Sequence, residues 1–119
     1  MCNTQSTADN LVVFVGSEGV GRGDDELGAI LMGPFLDTLS QLDNRPSHVL
    51  FVNAGAKLPV AGSPVLPQLA QLEEMGTEVL TCGTCLKYYD LGDKLVVGRV
   101  SNMLTILEIL STAAHVIRP

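Results

Sequence analysis

The sequence has little of what nucleic-acid-binding or membrane-spanning proteins need. Charged residues make up 17% of its 119 residues, the formal net charge is −6, and no run of lysine or arginine occurs. Binding to nucleic acid or to anionic lipid gains strength from clustered basic residues, so neither partner is expected. No apolar stretch approaches the roughly 20 residues that cross a bilayer. The polar residues 1–10 do not resemble a signal peptide, and we expect a cytoplasmic protein.

Aromatic residues and cysteines are also scarce. Aromatic residues are 4% of the chain and tryptophan is missing, so a core has to be built mostly from Leu, Val, Ile and Ala. Of the three cysteines, Cys2 stands in a polar tail and is interpreted as incidental. The other two lie three positions apart, and such a pair in a reducing compartment is redox-active, metal-binding or nucleophilic more often than structural.

Short apolar runs alternate with helical patterns along the chain. Unbroken apolar runs favour strands buried on both faces of a parallel sheet, joined by right-handed crossovers. Five strands are predicted, at 11–15, 49–52, 79–82, 95–97 and 116–117. We therefore predict an α/β fold, a three-layer αβα sandwich around a mostly parallel sheet. A single domain, 11–119, is predicted to follow a tail at 1–10 that is disordered or the remnant of a linker.

The helices between these strands are predicted from their caps and apolar stripes. The first helix begins after the acidic residues 24–26, and Pro34 is expected to kink or break it, since proline has no N–H to donate. Its stripe consists of Leu27, Ile30, Leu31, Phe35, Leu39 and Leu42. A second helix spans 65–74, and a short helical segment lies around 86–89. Ser101 is expected to cap the last helix, which bears Met103, Leu104, Leu107 and Leu110.

Cys82 and Cys85 give the strongest chemical signal. They follow an apolar strand and precede a helix start, where backbone N–H groups favour the thiolate that attacks sulfur. Cys82 is therefore predicted to be a nucleophilic or persulfide-carrying thiol; the alternative is a small buried residue that ends a strand. Cys85 either resolves a disulfide with Cys82 or points inward from the first helical turn.

Polar residues follow three of the predicted strands. In open α/β sheets, sites lie beyond the carboxyl ends of the strands, so three segments are expected to meet there. These segments are Gly16–Gly23, Asn53–Ala61 and Cys82–Cys85. Arg22, Asn53 and Lys57 are the predicted substrate-binding residues, with an ordinary loop position as the alternative for each. Lys57 is also a candidate to stabilise the anion of Cys82.

Three other kinds of site are disfavoured. Gly16–Gly23 has the wrong register for GxGxxG and no P-loop Lys-Ser/Thr pair, so no nucleotide and no other cofactor is predicted. Zinc needs two further ligands, and His48 and His115 precede strands at the opposite end of the sheet, so no metal is predicted. Neither histidine can then activate a cysteine, which suits sulfur transfer better than acyl transfer.

Four motifs, in this order, resemble the carboxyl-terminal domain of the YedF family, part of the DsrE/DsrF-like sulfur-relay superfamily. They are Gly21–Gly28, Asn53–Leu58, Leu80–Leu86 and Ser101–Met103. The resemblance implies a flavodoxin-like fold, frequent oligomerisation and a sulfurtransferase-like role often associated with selenium metabolism. DsrE-type proteins carry sulfur as a persulfide on a cysteine after a central strand, which is the position of Cys82.

The residues and the resemblance together predict a protein that carries sulfane sulfur, or selenium, as a persulfide on Cys82. Its expected partners are a sulfur donor and a sulfur acceptor, for example a TusA-like carrier domain, and a second copy of itself in a homo-oligomer. Two alternatives stay open. One is a dithiol redox protein in which Cys82 and Cys85 cycle through a disulfide, and the other is a non-enzymatic oligomeric interaction module.

Overall fold

Five parallel strands form the centre of the protein. The computed structural model describes residues 10–119, so the predicted tail, apart from Asn10, and Cys2 lie outside the described residues. The strands are β1 (Leu11–Val15), β2 (His48–Phe51), β3 (Glu78–Cys82), β4 (Arg99–Ser101) and β5 (His115–Ile117). Their order across the sheet is β4-β3-β2-β1-β5, and every neighbouring pair is parallel.

Helices cover both faces of this sheet. The α-helices are α1 (Asp25–Leu39), α2 (Leu66–Glu74), α3 (Gly83–Tyr88) and α4 (Met103–Thr112), and a 3-10 helix spans Asn53–Lys57. Helices α1 and α2 pack on one face against side chains such as Val13 and Val49. Helix α4 packs on the other face against Val12 and Leu50. Because neighbouring residues of a strand point to opposite faces, both cores draw on the same strands.

The predicted fold class is confirmed. The sheet is flanked by helices in three layers, as in flavodoxin-like proteins. The central strands are buried on both faces, with Val12, Val13, Val49 and Leu50 fully inaccessible, which explains why their apolar runs are unbroken. Within residues 10–119, no helix has both the length and the apolar character needed to cross a membrane.

Helix α1 buries only one residue of its predicted stripe, Leu39. Leu27 and Ile30 of the predicted stripe are 53% and 62% exposed, whereas Met32 and Leu36 are fully buried. The loop before the helix packs across its first turn at Gly28, where the Val20 N–H donates to the Gly28 carbonyl at 3.0 Å. A Cβ on Gly19 of that loop would lie 3.0 Å from the Gly28 carbonyl carbon, so the loop covers the Gly28 side of this turn and leaves Leu27 exposed.

Pro34 does not break α1, which continues to Leu39. The predicted break was wrong because the proline lies on the exposed side of the helix. The carbonyl that its missing N–H would have bonded belongs to Ile30, which is itself exposed, and solvent can satisfy that group.

The fourth strand and the last helix cap also differ from prediction. Residues 95–97 are not a strand of the sheet: Leu95 forms one isolated antiparallel bridge with Val60, and Val97 is buried in the core. Gly98 follows with a φ of 83° and lies so close to the Val79 carbonyl that only glycine fits, and β4 begins after this turn. The cap of α4 is Asn102, whose side chain accepts from the Thr105 N–H, so the prediction of Ser101 was wrong.

Candidate functional site

The candidate site lies where β3 ends and α3 begins, at the carboxyl edge of the sheet. Cys82 is the last residue of β3 and the N-cap of α3. Its side chain is only 3% exposed and packs on the α4 side of the sheet with Leu80 and Ile106. Sheet topology therefore places one thiol at the position where α/β proteins carry their chemistry.

The surroundings of Cys82 favour its anion. Burial acts to raise the pKa of Cys82, but the backbone and side chains of Cys85 and Thr84 donate hydrogen bonds to its sulfur. These donors outweigh burial and hold the pKa of the Cys82 thiol below its ordinary value. A lower pKa means a larger fraction of thiolate at neutral pH, the form that attacks sulfur.

Cys85 has the opposite tendency. Burial raises the pKa of the Cys85 thiol, the neighbouring Cys82 raises it further, and the Asn53 N–H acts to lower it. That N–H donates to the Cys85 sulfur at 3.0 Å. The pKa of the Cys82 thiol is thus lowered and that of the Cys85 thiol raised, so Cys82 is the more readily ionised of the two.

Asn53 belongs to the thiol cluster through its backbone. It begins the 3-10 helix with a φ of 50°, a conformation that asparagine tolerates better than most residues. Its side-chain oxygen accepts from the Tyr89 hydroxyl at 2.9 Å. Gly55 allows this helix to lie close to β1, since a Cβ at this position would collide with the Val15 carbonyl oxygen at the end of that strand.

Lys57 contacts Tyr89 and Glu18. Its ammonium lies 4.6 Å from the centre of the Tyr89 ring and 3.7 Å from the Glu18 carboxylate. A direct effect of Lys57 on Cys82 stays a prediction, since the hydrogen bonds that lower the Cys82 pKa come from Thr84 and Cys85. The Lys57 contacts do connect Gly16–Gly23, the glycine-rich loop that carries Glu18, to the segment that carries Asn53.

Arg22 lies in a separate part of the carboxyl edge. It lines an open cavity of about 970 Å³ between the glycine-rich loop, the start of α1 and the end of β5. Ala54 and Arg118 also line this cavity, and neither Cys82 nor Cys85 does. The structure therefore brings Asn53 to the thiols, links Lys57 to them through Tyr89, and places Arg22 in a cavity that neither thiol lines.

Two residues of the cluster, Thr84 and Tyr89, have no counterpart in the sequence predictions. Tyr89 follows Cys85 by four positions, the spacing that places two side chains on one face of a helix. A hydroxyl-bearing aromatic at that spacing was the available signal. Its bond to Asn53, 36 positions earlier in the chain, is visible only in the folded protein.

Among residues 10–119, the histidines and acidic residues form no comparable cluster. His48 and His115 are the first residues of β2 and β5, at the amino edge of the sheet and opposite to the thiols. Within the described part of the chain, no three His, Cys, Asp or Glu side chains are grouped so that they could hold a metal ion.

Solved structures with the same fold cover nearly the whole chain. The ychN protein from E. coli aligns with a TM-score of 0.72 at 12% identity, covering 93% of this chain and 99% of that one. MTH1491 from Methanobacterium thermoautotrophicum, described as of unknown function, aligns with a TM-score of 0.66 at 21% identity, with 93% and 100% covered. BT1422 from Bacteroides thetaiotaomicron, also of unknown function, gives 0.67 at 13%, with 98% and 100% covered.

This chain shares the fold of these three structures. No family model matches the sequence, and no curated protein is significantly similar to it. At identities of 21% and below, the structural likeness establishes the fold and its topology, and the chemistry has to be argued from the site itself.

Proposed function

We propose that the protein is a sulfurtransferase-like carrier that holds sulfane sulfur as a persulfide on Cys82. The observation that supports this most directly is the place of Cys82, which ends β3 and is the N-cap of α3 at the carboxyl edge of the sheet. Hydrogen bonding from Thr84 and Cys85 lowers the pKa of its thiol there. The fold that this chain shares with ychN and MTH1491 suggests a DsrE-like protein and supports the proposal. The narrower assignment to the YedF family, with selenium as an alternative cargo, is part of the same proposal and rests on the four sequence motifs.

The proposed transfer needs only thiol chemistry. The Cys82 thiolate attacks the outer sulfur of a donor persulfide, a new S–S bond forms to Cys82, and the donor's S–S bond breaks. The donor leaves as a thiolate, and the proton of the transferred sulfur stays on it or passes to solvent. One S–S bond replaces another, so no external oxidant or reductant takes part. Attack by an acceptor thiolate on the same outer sulfur returns Cys82 to its starting state.

Cys85 limits the principal side reaction of such a carrier. A Cys85 thiolate would attack the inner sulfur of the Cys82 persulfide, form a Cys82–Cys85 disulfide and release hydrosulfide. Burial raises the pKa of Cys85, so this thiol stays protonated and is a poor nucleophile. The cluster as folded therefore favours passing the sulfur on over losing it.

Labelling with a sulfur donor tests the proposal. Reduced protein is incubated with a cysteine desulfurase and cysteine, then analysed by intact and peptide mass spectrometry without reductant. We expect one added sulfur on Cys82 in the wild type and in Cys85→Ser, and none in Cys82→Ser. Retained labelling of Cys82→Ser, mapped to Cys85, would contradict the assignment of the nucleophile.

The same spectra separate the alternatives. The placement of Cys82 and Cys85 at the N-cap and in the first turn of α3, where Cys85 affects the pKa of Cys82, favours a dithiol redox protein as the second candidate. A Cys82–Cys85 disulfide as the only product would support that candidate. If neither a persulfide nor a disulfide formed, a non-enzymatic interaction module would become the better interpretation.

The proposed partners are sulfur-donor and sulfur-acceptor proteins, such as a TusA-like carrier domain, in the cytoplasm. A homo-oligomer is proposed as well. It is supported by the apolar residues that α4 leaves exposed, with Met103, Leu104 and Leu107 at 50%, 70% and 55%. Static light scattering of the purified protein measures this, and a monomer at all accessible concentrations would contradict it.

A further inference from the structure

A continuous path of hydrogen bonds leads from Tyr89 to the thiol pair. The Tyr89 hydroxyl donates to the Asn53 side-chain oxygen at 2.9 Å, and the Asn53 N–H donates to the Cys85 sulfur at 3.0 Å. Hydrogen bonding from Cys85 is in turn among the causes that lower the pKa of the Cys82 thiol. The path starts and ends on the segment that carries α3, and it passes through the 3-10 helix between its two ends.

Asn53 is held in an uncommon conformation within this path. Only Asn53 and Asp90 among the described non-glycine residues have a positive φ, and the value for Asn53 is 50°. Such a conformation costs free energy and persists where the surroundings hold the residue in place. Asn53 is held on two sides, through its N–H by Cys85 and through its side chain by Tyr89.

Tyr89 is itself fixed from two directions. The Lys57 ammonium lies over its ring at 4.6 Å, and the Tyr88 ring meets it edge to face with 5.2 Å between the centroids. Lys57 is also paired with Glu18 at 3.7 Å. The Tyr89 hydroxyl therefore approaches Asn53 from a restrained ring, as an anchoring contact requires.

We propose that Tyr89 and Asn53 act together as positioning residues for the thiol pair. The Tyr89 hydroxyl fixes Asn53, and the Asn53 amide occupies one lone pair of the Cys85 sulfur. The Cys85 S–H is then left to point at Cys82, where it stabilises the anion. The inference rests on the proposed function in taking Cys82 as the nucleophile, and it assigns Asn53 a role in orientation rather than in substrate contact.

The first test compares two neighbouring tyrosines. Tyr89→Phe keeps the ring and its contacts but removes the hydroxyl that bonds Asn53, while Tyr88→Phe is the matched control at an 83% exposed position. The pH dependence of Cys82 alkylation by iodoacetamide is measured by peptide mass spectrometry. We expect its midpoint to rise by about half a pH unit in Tyr89→Phe, or about threefold less thiolate at neutral pH, and to stay unchanged in Tyr88→Phe.

The second test separates the side chain of Asn53 from its backbone. Asn53→Gly keeps the N–H and accepts a positive φ, so it should reproduce the shift of Tyr89→Phe. The alkylation midpoint of the double variant, with both Tyr89→Phe and Asn53→Gly, should then shift no further. Both changes remove the same hydrogen bond, from the Tyr89 hydroxyl to the Asn53 side chain. Asn53→Ala disfavours the positive φ as well and should shift the midpoint more. Equal midpoints in Tyr89→Phe and Tyr88→Phe, or additive shifts in the double variant, would overturn the proposal.

Sulfur loading of the same variants keeps the two proposals distinguishable. If Tyr89→Phe shifts the Cys82 midpoint but even the wild type takes up no sulfur, the positioning role stands and the carrier function fails. If the wild type loads sulfur on Cys82 and Tyr89→Phe matches Tyr88→Phe in alkylation, the carrier function stands and the positioning role fails.

Discussion

The two edges of the sheet use polar groups in different ways. At the amino edge, side chains bond to the backbone of neighbouring segments and hold the strands together. The Thr77 hydroxyl donates to the Pro46 carbonyl at 2.8 Å, and the Ser47 hydroxyl donates to the Leu11 carbonyl at 3.2 Å. These bonds satisfy backbone acceptors at the starts of strands, and their effect is structural.

At the carboxyl edge, polar groups converge on one sulfur pair. Asn53 uses its backbone to reach Cys85 and its side chain to reach Tyr89, and it does so in a conformation that costs free energy. Beside this cluster lies the open cavity that Arg22 lines. The difference shows where this fold tolerates strain and incomplete pairing, which is the edge that carries the proposed chemistry.

The largest effect should come from the close approach that joins the carboxyl-edge loops. In Gly55→Ala the new Cβ meets the Val15 carbonyl oxygen, so the 3-10 helix has to move away from β1. We expect the free energy of unfolding to fall by about 3 kcal/mol in urea titrations, since strain of this kind belongs to the severe class of substitutions. The Cys82 alkylation midpoint should shift too, because Asn53 moves with the helix.

Gly92→Ala is the matched control for that substitution. No heavy atom lies within 4 Å of the position that its Cβ would take, and Gly92 has no positive φ. We expect unfolding and alkylation like those of the wild type. If both variants behaved alike, the carboxyl edge would not depend on the approach of the 3-10 helix to β1.

Two threonines allow the two edges of the sheet to be compared directly, since Thr77 precedes β3 and Thr81 lies near its carboxyl end. Thr77 and Thr81 are both buried, but within the described residues only Thr77 has a partner for its hydroxyl, the Pro46 carbonyl. Thr77→Val should lower the free energy of unfolding by about 1 to 2 kcal/mol, because it leaves that carbonyl buried and unpaired. Thr81→Val removes a hydroxyl that is desolvated without compensation and should raise it by about 1 kcal/mol.

Denaturant unfolding of the two threonine variants measures both signs. The comparison is sharpest if Thr81→Val also keeps the wild-type loading of sulfur on Cys82, its neighbour in β3. A loss of stability in both variants would mean that polar groups are used in the same way at the two edges of the sheet.

Most strands could be predicted because they are buried on both faces. The runs that became β1 and β2 are apolar at nearly every position, and β3 has Val79 and Leu80 at its centre. Such runs are typical of parallel strands that are buried on both faces. β4 was missed because it is a three-residue edge strand whose residues are at least partly exposed. The apolar run 95–97 was taken for it, although Val97 is buried through loop packing.

The buried face of α1 could not be predicted because its apolar residues surround the helix. Large apolar side chains occur both on the buried face, as Met32 and Leu36, and on the exposed one, as Leu27 and Ile30. A period of 3.6 then selects no single face. What decides the orientation is the packing of the preceding loop against Gly28, a tertiary contact.

For the site, the sequence was informative about position and silent about partners. The apolar run before Cys82 predicts that this residue ends a buried strand. Because sites in open α/β sheets lie beyond the carboxyl ends of the strands, its position at the site follows. The folding of three loops over the edge brings Lys57 into contact with Tyr89 and Glu18. It also places Arg22 in a cavity that neither thiol lines. Spacing along the chain carries no such information.

The smallest expected effect is a pH dependence at the amino edge. Burial lowers the pKa of His48, which begins β2, although the nearby Glu78 carboxylate acts to raise it. Between this lowered pKa and the ordinary value near 6.5, the unfolded chain binds a proton that the folded protein does not. The contribution of His48 to stability is therefore fully present above pH 6.5 and is lost as the pH falls below it.

Melting temperatures measured between about pH 7.5 and pH 5 would show this loss, because that range covers the titration of histidine. We expect His48→Gln to melt with a shallower dependence on pH than the wild type, because glutamine does not titrate. His115→Gln, at the exposed first residue of β5, is the control and should keep the wild-type slope. If His48→Gln and His115→Gln changed the slope equally, burial at the start of β2 would not be the cause, and the amino edge would owe its pH response to surface charge.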